Sequence, residues 1–235
     1  MRYVKISKFL SEKEHVNWLV EGLLPDVGWT LFYGLKGVGK TTFALQLCEA
    51  IQEGKRFLER ETQKTRILYI QADSQELEWR EILKRVSPSN EGFTVVDVPM
   101  NALNNPHYIN SIDNFVNIVK PRYIIWDSLY ALVGENVNTT KALQGIETME
   151  KLGKGVPFMV IHHPPHGESR AAGSSSLGAN CSNEWCLLKT KLRIDKGRLV
   201  ALEEIPLYRD KTDGGLWHLY KRGQGKGESF MDREI

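Results

Sequence analysis

No apolar run in the chain approaches the roughly 20 residues that a helix needs to cross a bilayer. The opening segment, MRYVKISKFLSEKEH, is interrupted by charges and lacks the long apolar stretch of a secretory signal. These two absences give the expectation of a cytoplasmic protein with no membrane partner. Cysteine is scarce. Of Cys48, Cys181 and Cys186, the last two are separated by a spacing that matches neither a redox Cys-X-X-Cys pair nor a usual zinc site. A disulfide framework is not expected, and Cys48, lying among apolar residues, reads as a core residue. Neither charge sign dominates: a net charge of +2 leaves any contact with DNA or RNA to local patches. Internal repeats and low-complexity tracts are also missing.

What is present is ordinary globular composition, 41% hydrophobic and 26% charged, in 235 residues. That suits one α/β domain with short additions. Short apolar runs alternate with helical patterns. Thr30–Tyr33, Arg66–Ile70, Thr94–Val98, Tyr123–Trp126 and Phe158–Ile161 read as strands. Helices are expected over Thr42–Gln52, stopped by Gly54, and over about Gln75–Val86, ending before Ser87-Pro88. Asn105-Pro106 supplies an N-cap with proline at the first helical position, followed by a buried stripe of Ile109, Ile112, Val116 and Val119. A further helix is expected near Thr140–Leu152. Repeated β–α units whose strands are apolar on both faces predict a mainly parallel sheet between helices. Beyond Glu184 the runs Trp185–Leu188, Leu199–Leu202 and Leu216–Tyr220 leave no room for crossover helices, so antiparallel strands are expected there. The tail from Lys221 is polar and glycine-rich, and is expected to be mobile.

The strongest local signal is Gly34–Thr41, GLKGVGKT, placed after an apolar strand and before an amphipathic helix. Phosphate-binding loops need glycine where backbone N–H groups close around phosphate oxygens and leave no space for a side chain. Gly34, Gly37 and Gly39 meet that need, with Leu35, Lys36 and Val38 between them. In this pattern Lys40 supplies charge to the β- and γ-phosphates and the Thr41 hydroxyl ligates magnesium, with Thr42 next on the helix. The positive end of that helix points at the phosphates. The expected ligands are therefore ATP and Mg2+. A second carboxylate is needed on the metal side, and Asp127, closing the run YIIWD, is the candidate, because strand carboxyl ends line the ligand crevice in open parallel sheets. As an alternative, Asp127 is a turn or N-cap aspartate, and Ser128 fits either role. Asp73, after ILYIQ, is the candidate to orient the attacking water, although Asp73-Ser74-Gln75-Glu76 also reads as a capping box. Glu76 and Glu78 lie further into the helix. The run His162-His163-Pro164-Pro165-His166 reads as a polar strand end or, with rigid prolines between its histidines, as a poor metal site. On residue type alone, Lys196 and Arg198 are a solvated charge pair between strands.

With these pieces in order the sequence resembles the RecA-core ATPases, specifically the RepA-like branch of hexameric replicative helicases. The resemblance spans roughly residues 18–210: WLVEGLLPDVGWTLFYGLKGVGKTTFALQL, GKRFLERETQKTRILYIQADS, YIIWDSL, MVIHHPPH, AGSSSL and LRIDKGR. It implies that Asp73 stands where the family has its catalytic glutamate, one methylene shorter, and that Asp127 is the magnesium-linked aspartate. It implies a γ-phosphate sensor at His163, and in Lys196 and Arg198 the basic pair that reaches a neighbouring subunit's γ-phosphate. It further implies a homo-oligomeric, hexameric ring with single-stranded DNA in its channel. Arg170, in the loop Pro164–Asn180, and Lys141 are then the candidate backbone contacts. The organisation expected is a docking segment over residues 1–22, with Val4, Ile6, Phe9 and Leu10 as its apolar residues, a RecA-like domain over 23–210 and a C-terminal strand and tail over 211–235. Two functions compete. One is a minimal DNA-dependent motor; the other is a slow regulatory or assembly ATPase acting as a nucleotide switch, which the shorter Asp73 favours. A small-molecule kinase is disfavoured by the lack of an arginine-rich lid.

Overall fold

Strands apolar on both faces can be buried only between two layers, and that is where they lie. The computed structural model describes residues 6, 16–72, 76–86, 93–134, 139–163, 174–210 and 212–221, the side chains of 139 and 174–176 aside. Two short strands, β1 (Trp18–Val20) and β2 (Leu24–Pro25), pair as a small antiparallel ribbon. The main sheet contains β3 (Trp29–Tyr33), β4 (Ile67–Gln71), β5 (Thr94–Asp97), β6 (Tyr123–Asp127), β7 (Phe158–His162), β8 (Asn183–Leu187), β9 (Lys191–Gly197), β10 (Glu204–Asp210) and β11 (Leu216–Leu219). Its order is β11-β10-β9-β8-β3-β7-β6-β4-β5. Strands β5, β4, β6, β7, β3 and β8 run parallel, and β9, β10 and β11 continue the sheet antiparallel.

The helices are α1 (Lys40–Glu53), α2 (Glu76–Val86), α3 (Pro106–Val119), α4 (Leu129–Val133), α5 (Thr139–Gly153) and α6 (Ser174–Asn180), with a 3-10 turn at Ala102–Asn104. Alternation along each strand sends side chains to two cores. Phe32, Tyr69, Tyr123, Ile125, Met159 and Ile161 pack with α1 and α2 on one face; Leu31, Ile70, Ile124, Trp126 and Val160 pack with α3, α4 and α5 on the other. Trp126 and Trp185 are fully buried.

The caps are those the residues dictate. Asn105 accepts a hydrogen bond from the His107 N–H at 2.9 Å, and α1 stops at Gly54, whose φ of 70° is left-handed. Two expectations are corrected. Leu199–Leu202 is not a strand: it lies in the connection between β9 and β10, with Leu199 and Leu202 exposed. The neighbouring KLRIDKG carries the period-two alternation instead, burying Leu192 and Ile194. The strand β8 pairs parallel with β3, because α6 precedes it as a crossover. Of the expected docking residues, Ile6 is exposed, and Val4, Phe9 and Leu10 lie outside the described residues. The tail beyond Lys221 also lies outside them.

Gln46 of α1 fastens the edge hairpin β10–β11 through two hydrogen bonds. Gln46 accepts from the Trp217 N–H at 2.8 Å and donates to the Trp217 carbonyl at 3.1 Å. Replacing Gln46 by Ala removes both bonds, and urea unfolding should show a loss of about 1–2 kcal/mol. An unchanged midpoint would mean that packing alone holds the hairpin.

Candidate functional site

The register of the parallel strands brings several polar residues to one edge. Tyr33, the last residue of β3, is level with His162 of β7, and Gln71 of β4 is level with both Asp127 of β6 and Asp97 of β5. The phosphate-loop sequence starts here, directly after Tyr33. Gly37 and Gly39 have φ of 77° and 103°, left-handed values suited to glycine. Gly34 is fixed by space instead: a Cβ there would stand 2.5 Å from the Leu187 carbonyl oxygen. Leu35, Lys36 and Gly37 are exposed at the loop tip, whereas Val38 packs against the core and Thr42 is buried.

The residue at the N-cap of α1 is Gly39, which has no side chain to cap the helix, and the first turn contains no acidic residue. The orphan N–H groups of a helix N-terminus are thus left for an anion. Lys40 is only 3% exposed, and its ammonium donates to the carbonyls of Gly34 at 2.7 Å and Leu35 at 3.0 Å. Beside it, the Thr41 hydroxyl donates to Asp127 Oδ2 at 2.9 Å. Asp127 is 2% exposed and also accepts from the Tyr69 hydroxyl, on the same oxygen, at 2.7 Å. The strand β7 lies between β3 and β6, so Thr41 and Asp127 meet above an intervening strand. Of the two roles open to Asp127, the geometry gives capping to its neighbour: Ser128 is the N-cap of α4, accepting from the Ala131 N–H at 3.4 Å.

This donor set fits a magnesium–nucleotide complex. A buried ammonium and an uncapped helix N-terminus suit phosphate oxygens. A hydroxyl and a carboxylate are the hard oxygen donors that Mg2+ takes, usually with water and phosphate completing its shell. Thr41 and Asp127 would hold the metal, whose bound charge would offset that developing on the phosphates.

The remaining candidates fall in different places. His162 is buried at the end of β7, and His163 is half-buried just beyond it. Among the described residues no group of three His, Cys, Asp or Glu side chains is arranged to hold a metal. Asp73 and Arg170 lie outside the described residues, and Lys141 is exposed on α5. Lys196 and Arg198 lie at the other end of the sheet, because Asn183, the first residue of β8, is level with both Thr30 and Gly197. There the Lys196 ammonium caps α6, donating to the carbonyls of Gly178 at 2.5 Å, Ala179 at 3.1 Å and Cys181 at 2.7 Å. Arg198 is exposed.

Three contributors were missed in the sequence. Tyr69 reads as a core aromatic, and only its position two residues from the strand end hints at a partner near the crevice. Gln71, 1% exposed, donates to Asp97 Oδ1 at 2.5 Å. Burial, with Glu76 nearby, pushes the Asp97 carboxyl above the usual range. Asp195 accepts from the Tyr33 hydroxyl at 2.5 Å and pairs with Arg193, Nε at 2.5 Å and Nη2 at 3.0 Å. Burial and that hydrogen bond raise the Tyr33 phenol well above its ordinary value. The strand entering the loop is thereby tied to the hairpin carrying Lys196.

Tyr69→Phe tests the support of Asp127. The Mg2+ concentration for half-maximal nucleotide binding should rise roughly tenfold, while the thermal midpoint changes little. An unaltered magnesium titration would show that Thr41 alone orients the carboxylate.

Comparison with known proteins agrees with this fold. A KaiC-like protein from the hyperthermophilic archaeon Pyrococcus horikoshii has a similar structure, with a TM-score of 0.61 at 17% identity over 86% of this chain and 94% of that one. At that identity the likeness is one of fold. No curated protein matches the sequence closely enough to assign a relative. The family profile described as an AAA domain matches residues 1–169 of the 235. Together with its RecA-like sheet and phosphate loop, this makes the chain a member of the AAA-domain family of P-loop ATPases.

Proposed function

We propose that the protein binds Mg-ATP at Gly34–Thr42 and hydrolyses it within a homo-oligomer, as a DNA-dependent motor of the RepA-like kind. The observation that carries the reading is the meeting of Thr41 and Asp127 at 2.9 Å beside the buried Lys40. In this reading Lys40 neutralises phosphate charge, Thr41 and Asp127 hold the metal, Asp73 orients water and His163 senses the γ-phosphate. Catalysis of this class is mainly positioning and electrostatics, so a sheet edge that carries Asp127 and His162 beside Lys40 and Thr41 is a suitable platform.

Support for a shared site comes from the sheet's polarity. Lys196 and Arg198 sit at the end of β9 remote from their own loop. A γ-phosphate within their reach would belong to another copy, and an arginine supplied in trans stabilises phosphoryl-transfer charge strongly. Lys196 holds α6 in place, which leaves Arg198 as the one to reach across. Arg170, outside the described residues, and the exposed Lys141 are the proposed contacts to single-stranded DNA.

Lys40→Ala should abolish ATP turnover, and retained turnover would mean that the site is elsewhere. Arg198→Ala should cost about a hundredfold or more, with activity partly regained on mixing with Lys40→Ala subunits; no recovery would sink the shared site. Single-stranded DNA should raise turnover of the assembled oligomer, and a forked duplex should be unwound. Turnover that is slow and indifferent to DNA would leave the nucleotide switch as the function.

A further inference from the structure

The hairpin β10–β11 brings a cation to the phosphate loop from a part of the chain no reading of the loop includes. Arg209 and Trp217 are paired in register, on the side of the hairpin that meets α1. Trp217 Nε1 donates to the Gly39 carbonyl at 3.1 Å. The Arg209 Cζ lies 5.7 Å from the centre of the Trp217 ring, and Arg209 Nε donates to the Gly215 carbonyl at 2.8 Å. A Cβ placed on Gly39 would stand 3.2 Å from Arg209 Nη1. The guanidinium therefore borders the residue that opens α1, where the helix presents uncapped N–H groups and no acidic side chain.

Two further observations separate this arrangement from an ordinary surface arginine. Among the described residues no carboxylate forms an ion pair with Arg209, although Arg60, Arg80, Arg122 and Arg193 each have one. The side chain is nonetheless held at two points, the Gly215 carbonyl and the indole face, with Nη1 lying beside Gly39. A fixed guanidinium without a counter-ion, set beside a helix N-terminus, adds to the positive potential there and loses little entropy on meeting an anion.

We propose that Arg209 is a second cation of the nucleotide site, supplied in cis by the edge hairpin, which binds the phosphate chain of the nucleotide that Lys40 and Thr41 hold. The proposal rests on the loop being a nucleotide site. The indole orients the guanidinium by a cation–π contact, and with Nε bonded to the Gly215 carbonyl, Nη1 is the nitrogen that lies beside Gly39. Arg209 thus differs in role from Arg198, since it acts on its own subunit's ligand and needs no neighbour.

The test is calorimetric titration of the full chain with ATP, ADP and adenosine. Arg209→Gln, which keeps most of the packing on Trp217, should weaken ATP and ADP about tenfold and leave adenosine unchanged; Arg209→Lys, which keeps the charge but loses the planar stack on the indole, should fall between the parent protein and Arg209→Gln. Equal losses in both variants would reduce Arg209 to a packing residue, and an equal loss for adenosine would move its contact to the base. Either result overturns the proposal, as does undiminished binding by Arg209→Gln. A measurement without substitution guards against a variant that fails to fold. Phenylglyoxal should modify Arg209 in the nucleotide-free protein and much less in the presence of ADP, as read by peptide mass spectrometry; equal modification overturns the proposal. If the unsubstituted protein binds no nucleotide at all, the reading of the loop fails instead.

Discussion

A parallel sheet with helices on both faces has only one place where its strands can release polar residues together, and the rest of this molecule is arranged around that edge. Strands β3, β4, β6 and β7 are buried along their whole length. Their carboxyl ends are level to within one residue, so Tyr33, Gln71, Asp127 and His162 arrive at one edge from distant parts of the chain. Burying charge there is costly unless each group has donors or acceptors of its own. Lys40 has two loop carbonyls, and Asp127 has two hydroxyls on one oxygen. These bonds keep a nearly dry ammonium and a nearly dry carboxylate in position, where the local electrostatics are strong.

The second half of the sheet works differently. The antiparallel strands β9–β11 do not pair with β3; they reach the loop and its strand through side chains. Asp195 grips Tyr33, and Trp217 grips Gly39. The phosphate loop is therefore braced on both sides, by the parallel strands beneath it and by an antiparallel extension beside it. In the same extension Lys196 fixes α6 through three carbonyls, which makes the β8–β9 unit a rigid mount for the exposed Arg198.

Much of this was legible in the residues. The alternation of apolar runs and helical patterns located the parallel strands, and the glycine pattern with Lys40 and Thr41 located the site. Asp127 was legible as a candidate because an acid ending a fully apolar run stands at a strand's carboxyl end, where ligands of open parallel sheets lie. The antiparallel part was less so: Leu199–Leu202 is the more hydrophobic stretch, yet KLRIDKG forms the strand, since a sheet edge with one wet face rewards alternation over apolarity. Tyr69, Asp195 and Arg209 were illegible for a common reason. Tyr69 meets Asp127 58 residues away, Asp195 meets Tyr33 162 residues away and Arg209 lies beside Gly39 from the far end of the chain, and nothing local distinguishes a tyrosine whose hydroxyl meets a carboxylate from one that only fills the core.

The two outermost strands have one more consequence. An open sheet ends in unpaired backbone, which invites another chain to add a strand. Here both ends are short, four residues in β5 and four in β11, and β5 finishes on the charged Asp97. Such ends offer a poor template for strand addition. Copies of this chain that gather into a ring would thus meet through side chains and loops, leaving each sheet intact and free to turn as a unit against its neighbour.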